Sequence, residues 1–139
     1  MAETTAKKLK IVVVTPERAI LDEAADMVVL PMYDGELGVL PGHSALIGRL
    51  GAGELRITEA GIVKRYFIDT GIAQVRSNVV TVLTDKSIPA ADISIVKANE
   101  ARLAAEAMPL SNAIERTNRE KAINRARGMG HVAAKNPVF

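Results

Sequence analysis

The spacing of apolar and polar positions along the chain changes period once. Up to Thr84, apolar residues come in short runs of strand formers, broken at close intervals. Residues 9–14, 24–30, 62–69 and 79–83 are rich in Val and Ile, whose branched side chains suit a pleated surface. Residues 18–22, 38–40, 46–50, 54–58 and 72–76 are shorter runs of the same kind. Between them fall Thr15-Pro16, Asp34-Gly35, Pro41-Gly42, Gly51-Ala52-Gly53, Ala60-Gly61, Thr70-Gly71 and Ser77-Asn78. Many short strands with regular turn signals predict an all-β sandwich or barrel over residues 1–88, with an aliphatic core.

From Pro89 onward the pattern is helical. Residues 90–107 are alanine-rich and hold no Gly or Pro, and Ile93, Val96, Leu103, Ala104 and Ala107 follow helical spacing. Asp92 or Ser94 can cap the start. Pro109 breaks the chain, since proline inside a helix removes a hydrogen bond. Ser111 can cap a second helix over 111–127, which Gly128 and Gly130 would close. The fold class is therefore α+β: a β-sandwich, then a helical hairpin over 89–139 with a loose tail from His131. The hairpin's apolar positions are mostly alanine, and the stripe of its second helix (Leu110, Ala113, Ile114) fades into charge. Such helices bury little area and need tertiary contacts to persist. The hairpin is expected to dock weakly on the sandwich or to be completed by another protein.

Charge divides along the same boundary. The net of +2 combines −1 for residues 1–88 with +3 for residues 89–139. Much of the excess comes from Arg116, Arg119, Lys121, Arg125 and Arg127, with Glu120 the one acid among them. This segment suits either a solvated helix face or an acidic partner. With aromatics at 3%, there is no stacking platform for single-stranded nucleic acid. Cysteine is absent, which removes disulfides, thiol nucleophiles and cysteine-ligated metals. No apolar run approaches the ~18 residues a membrane span needs, so no direct insertion is expected.

Enzyme constellations are missing as well. There is no phosphate-binding loop, no dinucleotide fingerprint, no nucleophile elbow and no zinc helix. His43-Ser44 are adjacent, and neighbours rarely present base and nucleophile to one another. Asp22, Glu23 and Asp26 suit a solvated edge. Neither a metal nor a cofactor is expected.

One segment is unusual: Gly35-Glu36-Leu37-Gly38-Val39-Leu40-Pro41-Gly42-His43. Pro41-Gly42 suits a type II turn, and Glu36 and His43 would lie near loop tips, where binding groups concentrate. The same residues also suit plain turns. This segment resembles the epsilon subunit of F-type ATP synthases (delta in mitochondria). Thr15-Pro16-Glu17-Arg18, the segment from Phe67 through Asp69-Thr70-Gly71 to Val75, and the run from Asn78 to Asp85 are similar to other parts of that family. The resemblance covers about residues 8–127.

The resemblance implies a non-catalytic subunit of the central stalk. Its sandwich would bind the gamma subunit and the membrane ring of c subunits, coupling ring rotation to the alpha/beta catalytic head. Glu36 and His43 map to the contact with the polar loops of the ring, and Gly35, Gly38, Pro41 and Gly42 would shape those loops. The hairpin would regulate ATP hydrolysis, with Arg116, Arg119, Lys121, Arg125 and Arg127 facing the head. The place would be peripheral, on the cytoplasmic face of a bacterial plasma membrane. Some relatives bind ATP through I/L-D-x-x-R-A at the start of the first helix. Here Ile93-Ser94-Ile95-Val96-Lys97-Ala98 replaces the acid and the arginine, and lysine lacks arginine's planar fork, so ATP binding is not expected. The alternative reading is a free-standing β-sandwich adaptor whose basic hairpin binds an acidic protein. A third, a small hydrolase using His43 with a distant carboxylate, has least support.

Overall fold

The computed structural model describes residues 7–135. The period-two runs form eight strands: β1 (Leu9–Val14), β2 (Ala19–Ala25), β3 (Met27–Met32), β4 (Gly35–Val39), β5 (Leu46–Glu59), β6 (Ile62–Arg76), β7 (Val79–Thr84) and β8 (Ser87–Pro89). A 3-10 turn at Ala90–Asp92 leads to two helices, α1 (Ile95–Glu106) and α2 (Ala113–Ala134). The architecture is a β-sandwich followed by a helical hairpin, as the change of period implied.

Strand order is β2-β1-β7-β6-β5-β3-β4, with β8 added on β6. β1 and β7 run parallel, and the other pairs are antiparallel. The two long strands serve both layers. The C-terminal half of β6 pairs with β7 and with the start of β5, while its N-terminal half pairs with β8 and the end of β5. The end of β5 in turn pairs with β3. Gly51-Ala52-Gly53 and Thr70-Gly71 therefore do not end strands, as the sequence suggested. They are the corner where two continuous strands change layer, and Leu50 faces Gly71 there in register. Thr70 and Gly71 have φ of 57° and 130°. A Cβ on Gly71 would run into the carbonyl of Leu83, so only glycine fits.

Alternation sets the core. Leu9, Ile11 and Val13 of β1, Val80 and Val82 of β7, and Leu55 and Ile57 of β5 all point inward and are fully or almost fully buried. This core is aliphatic. A second, smaller cluster lies outside the sandwich, between it and the helices: Phe67, Ala90, Ile93, Val132 and Ala133.

The helices differ from the sequence expectation in extent and in face. Pro89 ends a strand, and α1 starts at Ile95 with Ser94 as its cap, accepting from the Lys97 amide. Asn112, not Ser111, caps α2, accepting from the Glu115 amide at 2.8 Å. The buried residues of α1 are Ala98 and Ala105, while Val96, Leu103, Leu110 and Ile114 are exposed. Of the large residues in the expected stripes only Ile93, just before α1, is buried; α1 packs on α2 through alanines, and α2 meets the sandwich through Gly128, Val132 and Ala133. α2 continues through Gly128 and Gly130 to Ala134, so the expected loose tail is helical at its start. The rest of that tail, 136–139, lies outside the described residues. Among the described residues no helix is long and apolar enough to cross a membrane.

Gly128 does not terminate the helix; it allows close approach. A Cβ there would stand 2.8 Å from the carbonyl oxygen of Ala52 and 3.0 Å from the Phe67 ring. At Gly130 the nearest atom would be 3.9 Å away, an ordinary contact with Ala98. Gly128→Ala should therefore lift α2 off β5 and cost about 1–3 kcal/mol of hairpin seating. Gly130→Ala should be neutral or stabilise by up to about 1 kcal/mol, because alanine is the better helix former. Amide hydrogen exchange along α2 separates the two outcomes.

Candidate functional site

The unusual glycine-rich segment forms β4 and the turn after it. Residues 40–43 make a type II turn: Pro41 sits second, Gly42 has φ of 88°, and the His43 amide donates to the Leu40 carbonyl at 3.1 Å. The turn is tied to the β6–β7 connection, since the Gly42 amide donates to Asn78 Oδ1 at 2.8 Å. Half-buried His43 places Nδ1 2.7 Å from the Ser44 carbonyl, which leaves Nε2 for a partner. Glu36 sits on strand β4 rather than in a loop, opposite Pro31, close behind the Tyr33-Asp34 turn that Gly35 (φ 136°) closes. Gly38, also on β4, faces Val29. Glu36 and His43 therefore lie toward opposite ends of one edge strand.

Glu36 is not isolated. Its carboxylate accepts from Arg56 Nη1 at 2.9 Å. The same nitrogen donates to Glu54 at 3.0 Å. Glu54 is the unexpected residue: its side chain is 2% exposed on the outer face of β5. Arg65 Nε binds its other oxygen at 2.7 Å, and Lys135 Nζ approaches at 3.3 Å. Arg65 also donates to the Val132 carbonyl at 2.7 Å, near the end of α2. Arg56 and Arg65 are direct cross-strand neighbours. Two like charges in that position repel, and Glu54 between them removes the penalty. Burial pushes the Glu54 carboxyl up. Hydrogen bonds from Arg56 and Arg65, the Arg65 charge and the bond from Lys135 outweigh burial and hold it below the ordinary 4.5.

A second buried acid lies nearby. Asp69, with a side chain 6% exposed, accepts from Arg125 Nε at 2.6 Å. With the hairpin seated, Arg125, one of the α2 cations expected to face a partner, turns to the sandwich. Half-buried Arg119 reaches back to the Glu106 carbonyl of α1 at 3.4 Å. Arg116, Lys121 and Arg127 remain exposed. Sequence reading missed Glu54 and Asp69. The available signal was a strand, Lys64-Arg65-Tyr66-Phe67-Ile68-Asp69, whose outward positions mix an aromatic with charges, which marks a face covered by something.

The opposite layer presents an apolar outer surface. Ile72 and Leu83 face each other across β6 and β7 and are 48% and 50% exposed. Val14 and Pro16 complete a shallow depression of about 340 Å³ around them.

Sandwich, edge-strand turn and hairpin together define an α+β module, a β-sandwich with a helical hairpin packed on its outer face. The model of the ATP synthase delta/epsilon chain β-sandwich domain matches residues 8–90. The ATP synthase epsilon chain of Rhodopirellula baltica is 46% identical over 120 residues, covering 86% of this chain and 94% of that one. The epsilon chain of Syntrophobacter fumaroxidans is 36% identical, covering 94% and 98%. The chain belongs to the ATP synthase epsilon chain family. Among solved structures, a chain of the Euglena gracilis mitochondrial ATP synthase OSCP/F1/c-ring assembly has the same fold, with a TM-score of 0.81, 24% identity and coverage of 98% and 86%. A chain of the Tetrahymena thermophila mitochondrial central stalk and c-ring has a TM-score of 0.73 at 12% identity, covering 91% and 97%.

The site geometry predicts a pH response. The stability contributed by Glu54 is full above 4.5 and is lost as pH falls below it, because the folded state holds the carboxylate ionised. Glu54→Gln leaves Arg56, Arg65 and Lys135 without their shared counter-charge and should cost about 3 kcal/mol. Urea unfolding of the variant at pH 7, compared with the native chain across pH 3–7, measures both effects.

Proposed function

We propose that the chain is the coupling and regulatory subunit of a central stalk, non-catalytic by itself. What carries this reading is the family match, which spans 86% of the chain at 46% identity to an epsilon chain. Glu36 and His43 would contact the polar loops of a c-subunit ring, from an edge strand whose turn is held by Pro41, Gly42 and Asn78. Both solved neighbours come from assemblies that include a c-ring, which supports a ring as the partner. The exposed Ile72–Leu83 face would dock the gamma subunit, since a half-exposed apolar pair flanked by Val14 and Pro16 suits a protein partner better than water. The hairpin would regulate hydrolysis through the catalytic head, with Arg116, Arg119, Lys121 and Arg127 presented to it, since only Arg125 of the five is paired with the sandwich among the described residues. The subunit would be peripheral, on the cytoplasmic face of a bacterial membrane.

Three measurements test these parts. Because the chain has no cysteine, Glu36→Cys or His43→Cys supplies its only thiol. Either should cross-link to a cysteine in the c-subunit loop of assembled membranes; absence of both products contradicts the ring contact. Ile72→Asp with Leu83→Asp should weaken co-purification with gamma at least about tenfold while the far-ultraviolet circular dichroism stays native. Removing residues 95–139 should leave assembly intact and raise ATP hydrolysis. Unchanged hydrolysis would remove the regulatory role.

A further inference from the structure

Four side chains form an unbroken ionic path from the edge strand to the end of the hairpin. Glu36 binds Arg56 at 2.9 Å, Arg56 binds Glu54 at 3.0 Å, and Glu54 binds Lys135 at 3.3 Å. Two details make this more than a row of contacts. A single nitrogen, Arg56 Nη1, serves both Glu36 and Glu54. A single oxygen, Glu54 Oε1, serves both Arg56 and Lys135. Each shared atom sets up a competition. The acid at the centre has a side chain 2% exposed, so the shared carboxylate is shielded from solvent although Arg56 and Lys135 are 30% and 44% exposed.

We propose that occupation of Glu36 and seating of the α2 end are linked through Arg56 and Glu54, and that they oppose each other. While Glu36 holds Arg56, part of the guanidinium charge is balanced outside the buried node. Glu54 Oε1 is then available to Lys135. When a cationic group captures Glu36, Arg56 is left to Glu54 alone. The added positive charge competes with Lys135 for the same oxygen and weakens the hold on α2. Among the described residues, the end of α2 is also held by Arg65, which reaches the Val132 carbonyl, and by Val132 and Ala133, which sit in the small cluster around Phe67. A basic side chain presented to the edge strand would thus loosen the hairpin without touching it. That consequence for a ring contact rests on the proposed function above; the linkage itself is a property of this chain.

Because the linkage is internal, the isolated full chain tests it. Glu36→Gln imitates capture of the carboxylate, and Glu36 is exposed enough for the variant to fold. Amide hydrogen exchange at residues 130–134 reports seating, with exchange in β1 and β7 as the control. Glu36→Gln should accelerate exchange at the α2 end by about twofold to fivefold, the range of a partly exposed ion pair. The same substitution should have no effect in an Arg56→Gln background. It should also have none in a Lys135→Gln background, which perturbs only the exposed end of α2. Half-molar salt should shrink the effect, because Glu36 is 58% exposed. No acceleration in the native background, or equal acceleration in all three, overturns the linkage. Either result would leave the cross-linking test of the ring contact unaffected, and a failed cross-link would leave the linkage intact.

Discussion

Two carboxylates on the outer face of the sandwich, Glu54 and Asp69, are almost completely buried, and burying a charge is expensive unless a cation comes with it. The cations come from two places. Arg56 and Arg65 rise from the sheet itself, and Arg125 and Lys135 come from the second helix. Glu54 thus has two partners on the sheet and one on the hairpin, whereas Asp69 takes Arg125 from the hairpin. Apolar packing adds modestly to this, through Phe67, Val132, Ala133 and the close approach of Gly128 to Ala52. The hairpin is held by a few directed charges over a small apolar patch, an arrangement suited to two states of similar energy.

The same charges connect parts of the molecule that the sequence presents as unrelated. Glu36 stands on an edge strand and Lys135 at the end of the last helix, yet Arg56 and Glu54 lie between them. The proposed ring contact and the seat of the hairpin are thereby joined through side chains of this one chain. Here the junction is a set of shared hydrogen-bonding atoms rather than a hinge. The exposed large apolar residues of the hairpin, Ile95, Val96, Leu103, Leu110 and Ile114, fit the same division of labour. They contribute nothing to docking on the sandwich and remain available to another protein.

Much of the fold was legible because period two and period 3.6 are strong signals. β1 matches its apolar run to the residue, and the turn at Pro41-Gly42 follows from proline's fixed φ and glycine's freedom. Glycine misled the reading elsewhere. Gly51-Ala52-Gly53 and Thr70-Gly71 looked like strand ends, because nothing local says that they face each other across two continuous strands. Gly128 looked like a helix stop, because its real partner, the Ala52 carbonyl, is far away in sequence. Glu36 and His43 stood out as polar groups in a motif. Glu54 and Asp69 did not, because the mixed run from Lys64 to Asp69 marks a covered face without saying which acids are buried under it. Only the helix lying over them shows the difference.

The account depends most on buried acids seating the hairpin, and the Asp69–Arg125 pair isolates that claim. Arg125→Gln leaves the Asp69 carboxylate buried without its cation, so hydrogen exchange across residues 126–134 should rise at least about tenfold. Adding Asp69→Asn removes the stranded charge and should recover most of the lost protection. If Arg125→Gln leaves exchange unchanged, or if Asp69→Asn makes it still faster, the hairpin is seated by something other than these charges.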